Sequence, residues 1–109
     1  MKDKYLRQGD TTSVLITFDE SIEQKDLKVG LYDSYDREVF TATLSGGGVT
    51  ALGGNTYQVI IGHEVTVGLA GAYYLDLLLK SPNDTSYVNT GERPVNLIFK
   101  KAVISKNLQ

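Results

Sequence analysis

Three groups of residues in this 109-residue chain are of a type and spacing that chemistry uses. His63, the only histidine, stands in Ile61-Gly-His-Glu-Val65. As a general base or metal ligand it would need a partner, and with no cysteine and no second histidine the chain has no nitrogen and sulfur set to complete a zinc site. Its expected role is structural. Asp33, Asp36 and Glu38 crowd one short segment and offer oxygens to a hard cation such as calcium. They lack the glycine at the sixth position and the glutamate at the twelfth of a helix-loop-helix calcium loop, so a solvated turn is expected and no metal is assigned. The glycines form the third group. Gly46 to Gly48 are not followed by the Lys-Ser/Thr pair that grips phosphate, and no helix N-terminus follows them. Gly68-Leu-Ala-Gly71 has the spacing of a single-stranded RNA clamp without its basic flanks. No serine stands in a nucleophile elbow, and a Ser-His-Asp triad would rest on His63 alone. Acid, base and nucleophile do not converge, so the chain reads as a non-enzyme.

Tyrosine is the unusual count, seven against three phenylalanines and no tryptophan. Tyr5, Tyr32, Tyr35, Tyr74 and Tyr87, with Phe40, are candidate interface residues, because an amphipathic ring suits protein contacts and sugar stacking. Tyrosine is also a favoured strand residue, so part of this set is expected to be cross-strand packing. Phe40, Ile60, Leu78 and Ile98 fall at outward positions of their strands. Both faces of some strands would then be apolar, which a free monomer avoids and an oligomer or larger particle would cover.

These residues must be carried by strands. Thr12 to Phe18 alternates with Val14, Ile16 and Phe18 on one side; Leu27 to Asp33 does so with Leu27, Val29 and Leu31, and Thr56 to Ile61 with Tyr57, Val59 and Ile61. Further strands are expected at Glu38 to Leu44, at the short Val49 to Leu52, and from about Arg93 to Ile104. The polar stretch Asp19 to Asp26 reads as a loop with at most one helical turn, pinned by Ile22. Turn chemistry separates the rest: Asp33 to Arg37, Ser45 to Gly48, Gly53 to Asn55 and Ser81 to Thr85. Pro94 cannot donate to a ladder and belongs at a strand start or an edge. The most telling stretch is Val65 to Lys80, where Leu69-Ala-Gly71-Ala-Tyr73 forms a tight corner before Tyr73, Leu75, Leu77 and Leu79 recur at period two. In immunoglobulin-like sandwiches a tyrosine at the start of a late strand bonds back to the preceding corner, and Leu69, Gly71 and Tyr73 are the residues expected to build that corner here. The fold class is therefore all-β, an immunoglobulin-like antiparallel sandwich of about seven to eight strands. It forms one domain over 1–104 with a flexible tail at 105–109.

Composition agrees with a small folded domain, at 41% hydrophobic and 22% charged residues. A net charge of −2 with no basic stripe argues against nucleic acid. No 18-residue apolar window exists for a membrane helix, and the charged Met1 to Gln8 does not read as a signal peptide. Cysteine is absent, which removes disulfides and is compatible with synthesis in a reducing cytoplasm.

Tyr5-Leu-Arg-Gln-Gly-Asp-Thr11, Gly48-Val-Thr-Ala-Leu-Gly-Gly54, Tyr57-Gln-Val-Ile-Ile61, Val65-Thr66 and Leu69-Ala-Gly-Ala-Tyr-Tyr-Leu-Asp-Leu77 together resemble, in order, a family of small bacteriophage structural domains. The family includes the N-terminal immunoglobulin-like domain of baseplate upper proteins and related domains of tail, neck and fibre-attachment proteins, and the likeness spans nearly the whole chain. The resemblance implies a non-enzymatic virion protein, made in the host cytoplasm, that docks other phage virion proteins as part of a homo-oligomer or symmetric assembly. It implies no cofactor. Many relatives place a proline before the corner glycine, where this chain has Ala70. Baseplate proteins continue into a longer C-terminal region, whereas this chain ends at Gln109, so a stand-alone decoration or adaptor protein is expected. The competing expectation is a carbohydrate- or receptor-binding adhesin module, in which tyrosine rings and the Asp33 to Glu38 turn contact a surface glycan.

Overall fold

The computed structural model describes residues 2–22, 24–90 and 95–100. Within them lie β1 (Lys2–Arg7), β2 (Thr12–Thr17), β3 (Asp26–Tyr32), β4 (Glu38–Thr43), β5 (Val49–Gly53), β6 (Thr56–Ile61), the helical turn α1 (His63–Thr66), β7 (Gly71–Lys80), β8 (Val88–Asn89) and β9 (Val95–Lys100). The larger sheet has the order β1-β9-β7-β3-β4, with β8 also on β7; the smaller has the order β2-β6-β5. Every pairing is antiparallel except β1 with β9. This is an all-β sandwich with the immunoglobulin-like distribution of strands. The second, fifth and sixth strands make one sheet, and the third, seventh and ninth carry the other, flanked by β4.

Period-two alternation puts the apolar residues between the sheets. Leu27, Val29 and Leu31 of β3 are fully buried, as are Leu75 of β7 and Leu97 of β9, with Leu77 and Phe99 nearly so. Val14 and Ile16 of β2, Val49 of β5, and Tyr57, Val59 and Ile61 of β6 face them from the smaller sheet. β3 and β7 pair along their length, from Asp26 opposite Lys80 to Tyr32 opposite Tyr74, and so form the spine of the larger sheet.

Nine strands lie among the described residues where about seven to eight were expected, and the two that local pattern did not mark have physical reasons. β1 is rich in charge and has little alternation of its own, yet it pairs in register with β9, Tyr5 opposite Ile98 and Leu6 opposite Phe99. β8 is a two-residue pairing of Val88 and Asn89 with Leu79 and Leu78. A helical turn also stands where none was expected. In the expected loop from Asp19 to Asp26 the Lys25 N–H donates to the Ile22 carbonyl, Gln24 takes φ 69° and Ile22 is buried. The helix is His63–Thr66, where Thr66 is wholly buried and its hydroxyl donates to the Asp10 carbonyl at 2.7 Å. Arg93, Pro94, the end of the last expected strand and the expected tail at 105–109 lie outside the described residues.

The corner follows α1. Leu69 is buried, Gly71 takes φ +95°, a conformation that side chains with a Cβ rarely adopt, and the Ala70 N–H donates to the Tyr73 hydroxyl at 3.2 Å. The Tyr73 ring meets Phe99 edge-on at 5.7 Å between centroids. Tyr73→Phe keeps the ring and loses one neutral hydrogen bond, so its unfolding free energy should fall by about 1 kcal/mol. An unchanged denaturant midpoint would show that this bond holds nothing together.

Candidate functional site

With Leu31, Leu75, Leu77, Leu97 and Phe99 turned inward, the alternate residues of the same strands form the outer face of the larger sheet. Register fixes what that face carries. Tyr5 stands opposite Ile98, Ile98 opposite Ala72, Asn96 opposite Tyr74, and Tyr74 opposite Tyr32. Four strands thus lay out Tyr5, Ile98, Tyr74 and Tyr32 as one band. Tyr32 and Tyr74 stack with centroids 5.5 Å apart and planes 17° from parallel.

The rings are braced. The Tyr74 hydroxyl donates to Asp36 and that of Tyr32 to Glu38 at 3.3 Å, while Glu38 also lies 3.8 Å from Lys28 Nζ. Burial, and then the Glu38 charge, raises the pKa of Tyr32 above 10.0, so the ring stays neutral at physiological pH. Gly30 lets Tyr32 lie along its own strand, because a Cβ on Gly30 would sit 2.7 Å from Tyr32 Cε1. An isolated glycine between Val29 and Leu31 was the sequence signal for this close approach. Gly30→Ala should push the ring off its stack. Upfield ring-current shifts of the Tyr32 and Tyr74 protons would then collapse toward random-coil positions while the strand amides stay dispersed, and unchanged aromatic shifts would refute the bracing.

Beside the band, Ala72, Tyr73, Tyr74 and Ile98 line an open depression of about 280 Å³ rimmed by Asp3, Ser34 and Asn96. The Asn96 side-chain amide donates to Asp3 at 3.0 Å, leaving an apolar floor with polar groups at its edge.

Tyr87 lies further along the same sheet. Its ring sits under the Lys28 and Lys80 ammonium groups, 5.7 and 5.1 Å from the centroid, and its hydroxyl donates to Asp26. Asp26 also accepts from the Ser45 N–H at 2.9 Å and the Ser45 hydroxyl at 2.7 Å. This carboxylate, not singled out in the sequence, ties the start of β3 to the turn after β4 and the loop after β7. Burial would raise its pKa, but the bonds from Tyr87 and Ser45 and the charge of Lys80 outweigh that and bring it below 3.8. The bond to Asp26, then burial, raises Tyr87 above 10.0.

Tyr5, Tyr32, Tyr74 and Tyr87 thus share one face, and the remaining two interface candidates do not join it. Tyr35 is at the tip of the β3–β4 hairpin, 78% exposed, with the Arg37 guanidinium 5.2 Å from its ring centroid. Phe40 is half-buried against the core and stands opposite the inward Leu31, so its expected outward position is corrected. The bulge between Leu31 and Tyr32 shifts the register of β4 and turns Phe40 in.

The three carboxylates of the expected turn go separate ways. Asp33 accepts from the N–H groups of Tyr35 and Arg37 and from Arg37 Nε, and the Arg37 N–H leads the bonds that hold it below 3.8. Asp36 and Glu38 hold the tyrosines. His63 is exposed, its N–H donates to the Thr11 hydroxyl at 3.1 Å, and Glu64 lies 3.8 Å from its ring. Among the described residues no three His, Cys, Asp or Glu side chains cluster closely enough to hold a metal ion. In comparisons with known proteins the chain matches no family model and no curated protein.

Proposed function

We propose that this chain is a non-enzymatic docking module of a bacteriophage virion, a tail, baseplate, neck, head-fibre or capsid-decoration component whose tyrosine face seats a neighbouring virion protein. The observation that carries the reading is the band of Tyr5, Ile98, Tyr74 and Tyr32 on one sheet face, two of its hydroxyls already committed to Asp36 and Glu38. Rings held in place lose little conformational freedom when a partner covers them, so most of the area they bury would count toward affinity. The phage assignment rests on the ordered likeness of the Tyr5 to Thr11, Gly48 to Gly54 and Leu69 to Leu77 segments to phage structural domains.

Quantitative peptide mass spectrometry on purified particles from the phage that encodes the chain tests this. A fixed ratio to the major capsid protein, at a multiple set by head, neck or tail symmetry, is the expected result. Absence from otherwise complete particles would reject the reading. One observation favours a glycan-binding adhesin as the second reading: Tyr32 lies against Gly30 and beside Glu38, an aromatic ring next to a hydrogen-bonding carboxylate, which suits a sugar ring. Saturable binding on a glycan array, lost in a Tyr74→Ala variant, would favour that reading over the first.

A further inference from the structure

The edges of the two sheets are not defended alike. β1 presents Lys4 and Arg7 beside Asp3, and charge of this kind discourages pairing with another chain. β4 begins with Glu38 and is bulged against β3; β5 is bulged between Ala51 and Gly53. The smaller sheet ends at β2, Thr-Ser-Val-Leu-Ile-Thr, which has no charge, proline, glycine or bulge and keeps an unbroken register with β6 from Thr12 opposite Ile61 to Thr17 opposite Thr56.

Two bonds fix which groups this edge offers. Phe18 N–H donates to the Asn55 carbonyl, continuing the β2–β6 ladder, so the even-numbered residues of β2 bond inward to β6. The Ser13 carbonyl instead accepts from Lys4 Nζ at 2.7 Å, off the ladder. Ser13, Leu15 and Thr17 therefore point their backbone N–H and C=O groups at the edge that no other described strand pairs. Their side chains face outward with those of Thr56, Gln58 and Ile60 on β6 and Thr50 on β5, a face with no charged residue on which Leu15 is 59% and Ile60 53% exposed.

We infer that the β2 edge pairs antiparallel with the β2 edge of a second copy of this chain, about a two-fold axis at Leu15. The occupant follows from self-complementarity. Centring the pair on Leu15 sets Ser13 opposite Thr17 of the second copy and Leu15 opposite Leu15, and these are the residues whose backbone groups face the edge. Each such pair exchanges both of its N–H···O=C bonds. The same centring sets Val14 opposite Ile16 on the core side, so both copies keep their buried faces aligned. Leu15 then meets Leu15 on the outer side, each with the Ile60 of its own copy diagonal to it, and no charged side chain of β2 or β6 is brought opposite another. The Thr17 N–H of the second copy takes the Ser13 carbonyl from Lys4. Two sheets of three strands become one of six. The inference does not depend on what covers the tyrosine face.

Sedimentation velocity over a concentration series tests it with the intact chain. The wild type should shift from monomer to dimer, and Leu15→Lys, which sets two ammonium groups against each other at an already exposed position, should weaken association at least tenfold while circular dichroism stays unchanged. Because the chain has no cysteine, single-cysteine variants give a second readout. Opposed residues of a bonded antiparallel pair have Cα atoms about 5.5 Å apart, within reach of a disulfide. Leu15→Cys should form a reducible dimer on oxidation well before Tyr35→Cys does. A wild type that stays monomeric, a dimer that Leu15→Lys leaves intact, or equal cross-linking of the two cysteine variants would each overturn the inference.

Discussion

Leu75→Ala should lower the unfolding free energy by about 3 kcal/mol, among the large effects expected of a core truncation in this chain. Leu75 is fully buried at the middle of β7. It is paired across the sheet with Leu31, itself fully buried and paired with Phe40 on the other side. Removing its isobutyl group loses the transfer energy of the deleted carbons and leaves a void that Leu31 and Phe40, each held by a strand, cannot collapse to fill. A domain of this size has roughly 5 to 15 kcal/mol in total, so the variant should unfold at visibly lower denaturant with an unchanged slope. The outward Leu15→Ala should stay within about 0.5 kcal/mol in the monomer, since 59% of its surface is in water already. Equal losses at the two positions would mean that the assignment of inner and outer faces is wrong.

How far the fold could be read in advance depends on whether each element carries its own pattern. Leu27, Val29 and Leu31, or Tyr73, Leu75, Leu77 and Leu79, announce a strand and its buried side through period two alone, and the structure places them accordingly. β1 carries no such statement. Its residues become a strand because β9, some ninety positions away in sequence, supplies a parallel partner, and that is a long-range contact rather than a local preference. Phe40 shows the converse. The local alternation of β4 is real, but one bulge against β3 reverses which face it presents. The tyrosine face was half legible: the excess of tyrosine was plain in the composition, whereas the stacking of Tyr32 on Tyr74 and the position of Tyr5 in the same band needed the order β1-β9-β7-β3. Asp26 was not legible at all, because Ser45 and Tyr87 lie 19 and 61 positions from it.

That carboxylate sets the second large expectation, a stability difference that depends on pH. Asp26→Ala removes the common acceptor of the Ser45 N–H, the Ser45 hydroxyl and the Tyr87 hydroxyl. Bonds to a charged acceptor are worth more than neutral ones, but this one is partly solvated, so at pH 7 the cost should be about 1–2 kcal/mol rather than the sum of three. In the folded chain Asp26 titrates below its ordinary 3.8. A carboxylate with a depressed folded pKa stabilises the native state fully above its unfolded value, and that stabilisation is lost as pH falls through the folded one. The gap between wild type and Asp26→Ala should therefore be constant from pH 7 to about 5 and close progressively as the pH is taken below 3.8. Asp33 is also held low and destabilises both proteins in the same window, but it is present in each and cancels in the difference. Tyr87→Phe, which removes one donor, should cost less than Asp26→Ala and add little to it in the double variant, because both changes break the same bond. Urea titrations at steps from pH 7 to pH 2 measure this directly. A gap that persists in acid would mean that Asp26 holds the three segments by shape and not by charge.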